Sequence, residues 1–157
     1  MTTVSRAAVE QMVRAALLRH RPGGSMRGQG SARLIANISA RHCHLDDGTL
    51  KILFGSDAKL TVMKPLYQAG AFASDQTVTI FGPRKQMISN LRVLGPLRDA
   101  PQVELAFSDA RFLGIDAPVR ISGNTAGSPG CFLVGPHGGL EIPEGVIRAA
   151  RPVHMSP

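Results

Sequence analysis

Two histidines one residue apart, His42 and His44, close the stretch Ser39-Ala40-Arg41-His42-Cys43-His44-Leu45. The apolar run before them, Leu34-Ile35-Ala36-Asn37-Ile38, reads as a β-strand, and residues two apart in a strand point to the same side. Both imidazoles would then converge on one point, with Cys43 turned to the opposite face. Paired neutral imidazoles suit zinc or another borderline metal. The plainer alternative is a pair of exposed histidines. An echo at the other end of the chain favours the first: the Ala40–Leu45 pattern returns as Ala150-Arg151-Pro152-Val153-His154-Met155, with one histidine lost.

Further residues could join this pair. Arg98 follows Leu94-Gly95-Pro96-Leu97, a turn that would hold its guanidinium in place, and arginine is suited to bidentate contact with phosphate. Glu104 stands among apolar neighbours in Gln102-Val103-Glu104-Leu105, where a carboxylate is costly to bury without a partner. A metal is one such partner; an ordinary salt bridge, or exposure on an edge strand, is the alternative. Arg92 and Lys85 add positive charge nearby, or simply a solvated face. Cys43 reads as core rather than as an acyl carrier.

The elements that must position these groups are short. With 157 residues, 43% hydrophobic and 18% charged, the chain can bury one real core and has the balance of a folded soluble protein. Its 17 Gly, 11 Pro and scarce aromatics favour many short strands and turns over long helices. Strands are expected at Leu34–His44, Leu60–Met63, Thr77–Phe81, Ile88–Leu94, Val103–Phe107, Val119–Ser122, Phe132–Val134 and Gly145–His154. Turn signals such as Gly82-Pro83, Gly95-Pro96 and Gly135-Pro136 separate them. Two short helices are expected at Thr49–Phe54 and Asp109–Leu113, the second capped by Ser108 or Asp109. The pattern is mainly β, a small β-barrel with short helices. Ile80-Phe81-Gly82-Pro83-Arg84 and Leu133-Val134-Gly135-Pro136-His137 repeat one another, and with the histidine echo they suggest a second, related barrel just begun.

The N-terminus differs. Val9, Met12, Val13, Ala16 and Leu17 make one apolar stripe of an amphipathic helix, and Pro22-Gly23-Gly24 ends it. Residues 22–32 read as a flexible linker, so the helix is expected to dock on another protein. Packing back on its own domain and a mitochondrial-type transit peptide are the alternatives. Residues 1–30 hold five of the arginines and a single Glu, so most of the net charge of +7 belongs to this segment. No basic stripe is interleaved with aromatics, which argues against nucleic acid. No apolar run is long enough for a membrane span. Two cysteines, Cys43 and Cys131, suggest no disulfide framework and a reducing, cytoplasmic compartment.

The order of motifs is specific. The histidine stretch is followed by Lys64-Pro65-Leu66, Phe72-Ala73, Arg92-Val93-Leu94-Gly95-Pro96-Leu97-Arg98 and Gln102-Val103-Glu104. Leu113-Gly114-Ile115-Asp116-Ala117-Pro118-Val119-Arg120, Gly127-Ser128-Pro129-Gly130 and His154-Met155-Ser156-Pro157 continue it. Over residues 33–157 this closely resembles phosphate propanoyltransferase, the phosphotransacylase family of bacterial microcompartments. The resemblance implies two tandem β-barrels, two zinc ions between them, and acyl transfer between coenzyme A and phosphate. It places His42, His44 and Glu104 as zinc ligands, with His154 from the second-barrel motif, and Arg98 on phosphate. Ile38, Ser39, Ala40, Arg92 and Lys85 match the coenzyme A site. Residues 1–21 resemble an encapsulation peptide that attaches to shell or core proteins in the microcompartment lumen. Domains follow as 1–21 targeting helix, 22–32 linker, 33–146 first barrel and 147–157 the start of a truncated second.

The expected reaction interconverts propanoyl-CoA or acetyl-CoA plus phosphate with acyl phosphate plus coenzyme A, by attack of zinc-bound phosphate on the thioester. Two departures weigh against it. Pro152 stands where the family's second motif has a histidine, and the chain stops at Pro157. The expectation is therefore one zinc or an incomplete site, in an enzyme that truncation could inactivate. A non-catalytic microcompartment assembly protein that keeps barrel and helix is the alternative function. Self-association into a homo-oligomer fits either reading, and the acyl-chain preference does not follow from the residues.

Overall fold

A computed structural model of the protein describes residues 41–150, and the account below is of these. They fall within one unit of the chain, residues 38–157. The expected strand at Leu34–His44 is described only at its end, β1 (His42–His44). The N-terminal helix, the linker, Ile38, Ser39, Ala40 and His154 lie outside the described residues.

Helix α1 (Asp47–Phe54) follows β1. Asp46 caps it by accepting the Thr49 amide, and Asp47 sits in the first turn, where a carboxylate meets the positive end of the helix dipole. The strands β2 (Val62–Pro65), β3 (Phe72–Phe81), β4 (Met87–Gly95) and β5 (Gln102–Glu104) come next. Helix α2 (Phe107–Leu113) begins earlier than expected, and its N-cap is Ala106 with no side-chain cap; neither Ser108 nor Asp109 caps it. Phe107, expected to end a strand, begins this helix. The strands β6 (Val119–Arg120), β7 (Cys131–Val134), β8 (Gly139–Ile142) and β9 (Val146–Ala149) complete the order.

All nine strands form one mixed, curled half-barrel sheet, ordered β6-β9-β5-β1-β4-β3-β7-β8 with β2 beside β3. The fold is mainly β with two short helices among the described residues, as expected. Two strands differ most from expectation, while β2 (expected at Leu60–Met63) and β5 (expected at Val103–Phe107) are shifted by a few residues. β3 begins at Phe72 rather than Thr77, because its polar first half pairs with β2 and the end of β4. β8 lies outside the expected strands: its Gly139-Leu140-Glu141-Ile142 run is short and opens on a glycine next to another, and it forms because it closes a hairpin with β7. β9 pairs with both β5 and β6, so the sheet runs past residue 146 to Ala149.

The pairing registers and turn contacts of the two halves repeat one another, the relation of a local two-fold. β1 and β5 pair antiparallel as His42↔Glu104, Cys43↔Val103 and His44↔Gln102. β3 and β7 pair as Thr79↔Val134, Ile80↔Leu133 and Phe81↔Phe132. Each register is centred on corresponding residues, Cys43 with Val103 and Ile80 with Leu133. The hairpin turns also cross over. Arg84 donates its amide to the Leu113 carbonyl at the end of α2, and His137 donates to Leu53 in the last turn of α1. A side chain on Gly82 or Gly135 would run into those same Leu113 and Leu53 carbonyls, so both positions require glycine for the close approach. The repeated Gly-Pro turns are thus internal to this body.

The core lies on one face of the central strands. Cys43, Val93 and Val103 are fully buried there, with Leu50, Leu53 and Leu113 from the helices. A bulge in β4 sets the phase. Asn90 adopts φ 57°, and the β3–β4 register shifts between Val78 and Ile80. Strict alternation from buried Ile88 would send Arg92 into the core; the extra residue sends in Leu91 and Val93 instead. Arg92 is thereby placed in register with His42, on the face opposite the core.

Candidate metal centre

β1 lies between β4 and β5, so its polar face is framed by a row of partners: Arg92, His42 and Glu104 in register. In the next row on the same face His44 faces Gln102. His42, His44 and Glu104 are 8%, 7% and 6% exposed, which removes both plain alternatives for these residues, a solvent-exposed histidine pair and an exposed edge carboxylate. One ligand atom from each lies within 4.8 Å of the others. The imidazole rings meet edge to face at 5.2 Å between centroids. His42 Nε2 stands 3.5 Å from Glu104 Oε2. Cys43 points to the core, as alternation requires.

Electrostatics prepare this cluster for a cation. Burial, then the Arg98 charge and then His42, push His44 down to about 4, against smaller opposing effects of Glu104 and the Leu94 backbone. His44 is therefore neutral at physiological pH, with a lone pair available. Burial alone would raise Glu104, but hydrogen bonding and charge from His42, a hydrogen bond with Ser122 and His44 bring it down to about 2. Its carboxylate is an anion. His44 Nδ1 is buried and makes no hydrogen bond, an arrangement that costs roughly 1–3 kcal/mol unless something satisfies it. Two imidazoles and one carboxylate are a donor set that could hold a metal ion, and zinc chemistry fits it.

Arg98 is brought to the edge of the cluster. Its amide donates to the Leu45 carbonyl at 2.9 Å and its Nη1 to Ser122 Oγ at 3.0 Å. Arg92 shares the His42 row, but its Nη1 donates to the Ser74 and Asp75 carbonyls, both at 2.9 Å. Lys85 is not brought there. It sits exposed with φ 59° in the turn between β3 and β4, seven positions before Arg92 in the chain and at the far end of β4 from the Gly95 terminus.

A family model for phosphate propanoyltransferase matches residues 35–157. The chain belongs to the phosphate propanoyltransferase family. Among proteins of that name, one from Planctopirus limnophila is 55% identical, over 98% of this chain and 66% of its own length. One from Thermotoga maritima is 45% identical over 90% of this chain and 62% of its own. One from Salmonella typhimurium is 49% identical over 76% of this chain and 56% of its own. This family member thus spans between 56% and 66% of the length of these curated relatives. The family match contains the whole cluster and begins at residue 35.

Sequence reasoning in terms of this family missed two residues at the site. Gln102 is 2% exposed and touches Glu104, and Ser122 touches both Gln102 and Arg98. A signal for Gln102 was present: Gln102-x-Glu104-Leu105 repeats the spacing of His42-x-His44-Leu45. Ser122 has no such signal, because only the folding of the turn after β6 brings it near.

Proposed function

We propose that this chain carries the phosphate-binding, metal-holding site of a phosphate acyltransferase. The reaction would interconvert acyl-CoA plus phosphate with acyl phosphate plus coenzyme A, with propanoyl or acetyl as the acyl group. The buried His42–His44–Glu104 cluster with Arg98 beside it is the observation that carries this reading, and the names of the relatives support it.

Zinc is the metal we assign to His42, His44 and Glu104, with His154 a candidate further ligand; when bound it supplies Lewis-acid polarisation and orientation of oxygen ligands. The chain's own residues do the rest. Arg98 holds the phosphate through its planar fork of donors and balances its charge. A phosphate oxygen held against the thioester carbonyl carbon forms the new C–O bond. The C–S bond then breaks, and coenzyme A leaves as thiolate. Orientation is the main contribution, since phosphate is a weak nucleophile that must be positioned. No protein nucleophile is needed. Cys43 and Cys131 are buried, and burial pushes both thiols up, Cys131 to about 12, so neither supplies a thiolate for acyl transfer. Arg92, Lys85 and Ile38–Ala40 are assigned to coenzyme A, whose length suits contacts spread along β4. We assign residues 1–21 to attachment to shell or core proteins of a microcompartment lumen, on the strength of their apolar stripe.

The test is acyl-CoA formation from propanoyl phosphate and coenzyme A, with zinc quantified on the same sample. Turnover is expected, and an Arg98→Ala chain should show a raised KM for the phosphate substrate. A folded, zinc-loaded chain without acyl transfer rejects the reading.

A further inference from the structure

Gln102 occupies the position that the local two-fold relates to His42, and Glu104 the position related to His44. One half of the motif thus carries two candidate ligands, the other one ligand and an amide. That amide is fully engaged. Its Nε2 donates to Glu104 Oε1 at 2.7 Å and to Ser122 Oγ at 2.9 Å, while its Oε1 accepts the Gly123 amide at 2.7 Å. The orientation is unambiguous, because a backbone N–H can only face the amide oxygen and a carboxylate can only face the amide nitrogen. Ser122 Oγ also accepts from Arg98 Nη1 at 3.0 Å.

We propose that Ser122 and Gln102 form a positioning unit that fixes the metal-facing carboxylate of Glu104 and the phosphate-facing guanidinium of Arg98 relative to each other. The proposal rests on the metal and phosphate roles assigned above. Gln102 occupies Oε1 of Glu104 and leaves Oε2 turned to His42. Glu104 thus presents Oε2 in one direction, beside His42, as a one-oxygen ligand needs. Ser122 transmits the same constraint to Arg98, which otherwise has a long, rotamer-rich stem. Neither residue touches the reacting atoms. Outer partners that orient ligands typically affect metal affinity by about 10–100-fold, and small displacements of a held reactant carry large rate costs.

The experiment uses the full 157-residue chain and two readouts that need no turnover: zinc affinity by chelator competition, and calorimetry of inorganic phosphate on the zinc-loaded chain. Gln102→Leu should weaken zinc about 10–100-fold and phosphate with it. Ser122→Ala, at an exposed position, should weaken phosphate about 10-fold or more, and zinc by less than Gln102→Leu does, since Ser122 also hydrogen-bonds Glu104. Ser122→Thr, which keeps the hydroxyl, should restore phosphate binding. A folded Gln102→Leu chain that holds zinc like the parent overturns the proposal, as does Ser122→Ala binding phosphate like the parent. Should Gln102→Leu not fold, the Ser122 pair decides. A parent chain that takes up no zinc rejects the functional reading itself.

Discussion

His42 and Glu104 are register partners across β1 and β5, and their side chains meet at 3.5 Å between Nε2 and Oε2. The two are 62 positions apart in the chain, so the candidate metal-holding cluster forms only once these strands pair.

That pairing makes the ligand variants predictable. His42→Ala, His44→Ala and Glu104→Gln should each weaken zinc by more than the roughly 10–100-fold expected for an outer partner. Glu104→Gln is the most informative, because it keeps the shape and removes the charge. Competitive titration against a chelator reads the effect; parent-like affinity in Glu104→Gln would remove Glu104 from the ligand set.

Metal removal should lower the melting temperature. A metal that binds only the folded chain adds about 2.7 kcal/mol at a free concentration 100 times its Kd, and the buried Nδ1 of His44 gains its missing partner. Thermal scans with zinc and with excess chelator should differ by several degrees.

The metal-free chain should lose stability as pH falls from 7 to 4. His44 titrates near 4 when folded against an ordinary 6.5, so between those values the unfolded chain binds more protons. Stability therefore rises with pH across that window. Glu104, lowered to about 2 from 4.5, extends the loss below pH 4.5, because the stability its ionisation contributes disappears as pH falls through the folded value. Denaturant titrations at several pH values should give the slope, and His44→Gln should flatten it between 6.5 and 4.

Neither thiol should react in the folded protein. Cys43 is fully buried and Cys131 is 7% exposed, so alkylation read by mass spectrometry should await denaturant. A Cys43→Ala, Cys131→Ala chain that folds should keep acyl transfer, which a thioester carried on cysteine would not allow.

Gly82→Ala and Gly135→Ala should destabilise alike, each by about 1–3 kcal/mol, since each drives a methyl into a helix-terminal leucine carbonyl across the local two-fold. Chemical denaturation measures both, and a tolerated Gly82→Ala beside a damaging Gly135→Ala would contradict the symmetry of the packing.

Local chemistry carried much of this in the residues themselves. The spacing His42-x-His44 put both rings on one side and Cys43 on the other, because strand side chains alternate whatever the partner strand. Glu104 among apolar neighbours left burial with a partner and exposure at an edge both open, and the Gly-Pro turns marked the hairpins. Tertiary structure decided what alternation and composition leave open. β8 forms only because β7 offers it an edge, and the bulge at Asn90 reverses the phase of β4, turning Arg92 toward the site. Register between distant strands brought Glu104 to His42 and Gln102 to His44, and the fold after β6 delivered Ser122 to Arg98. Such partners are set by long-range packing, which no window of neighbouring residues contains.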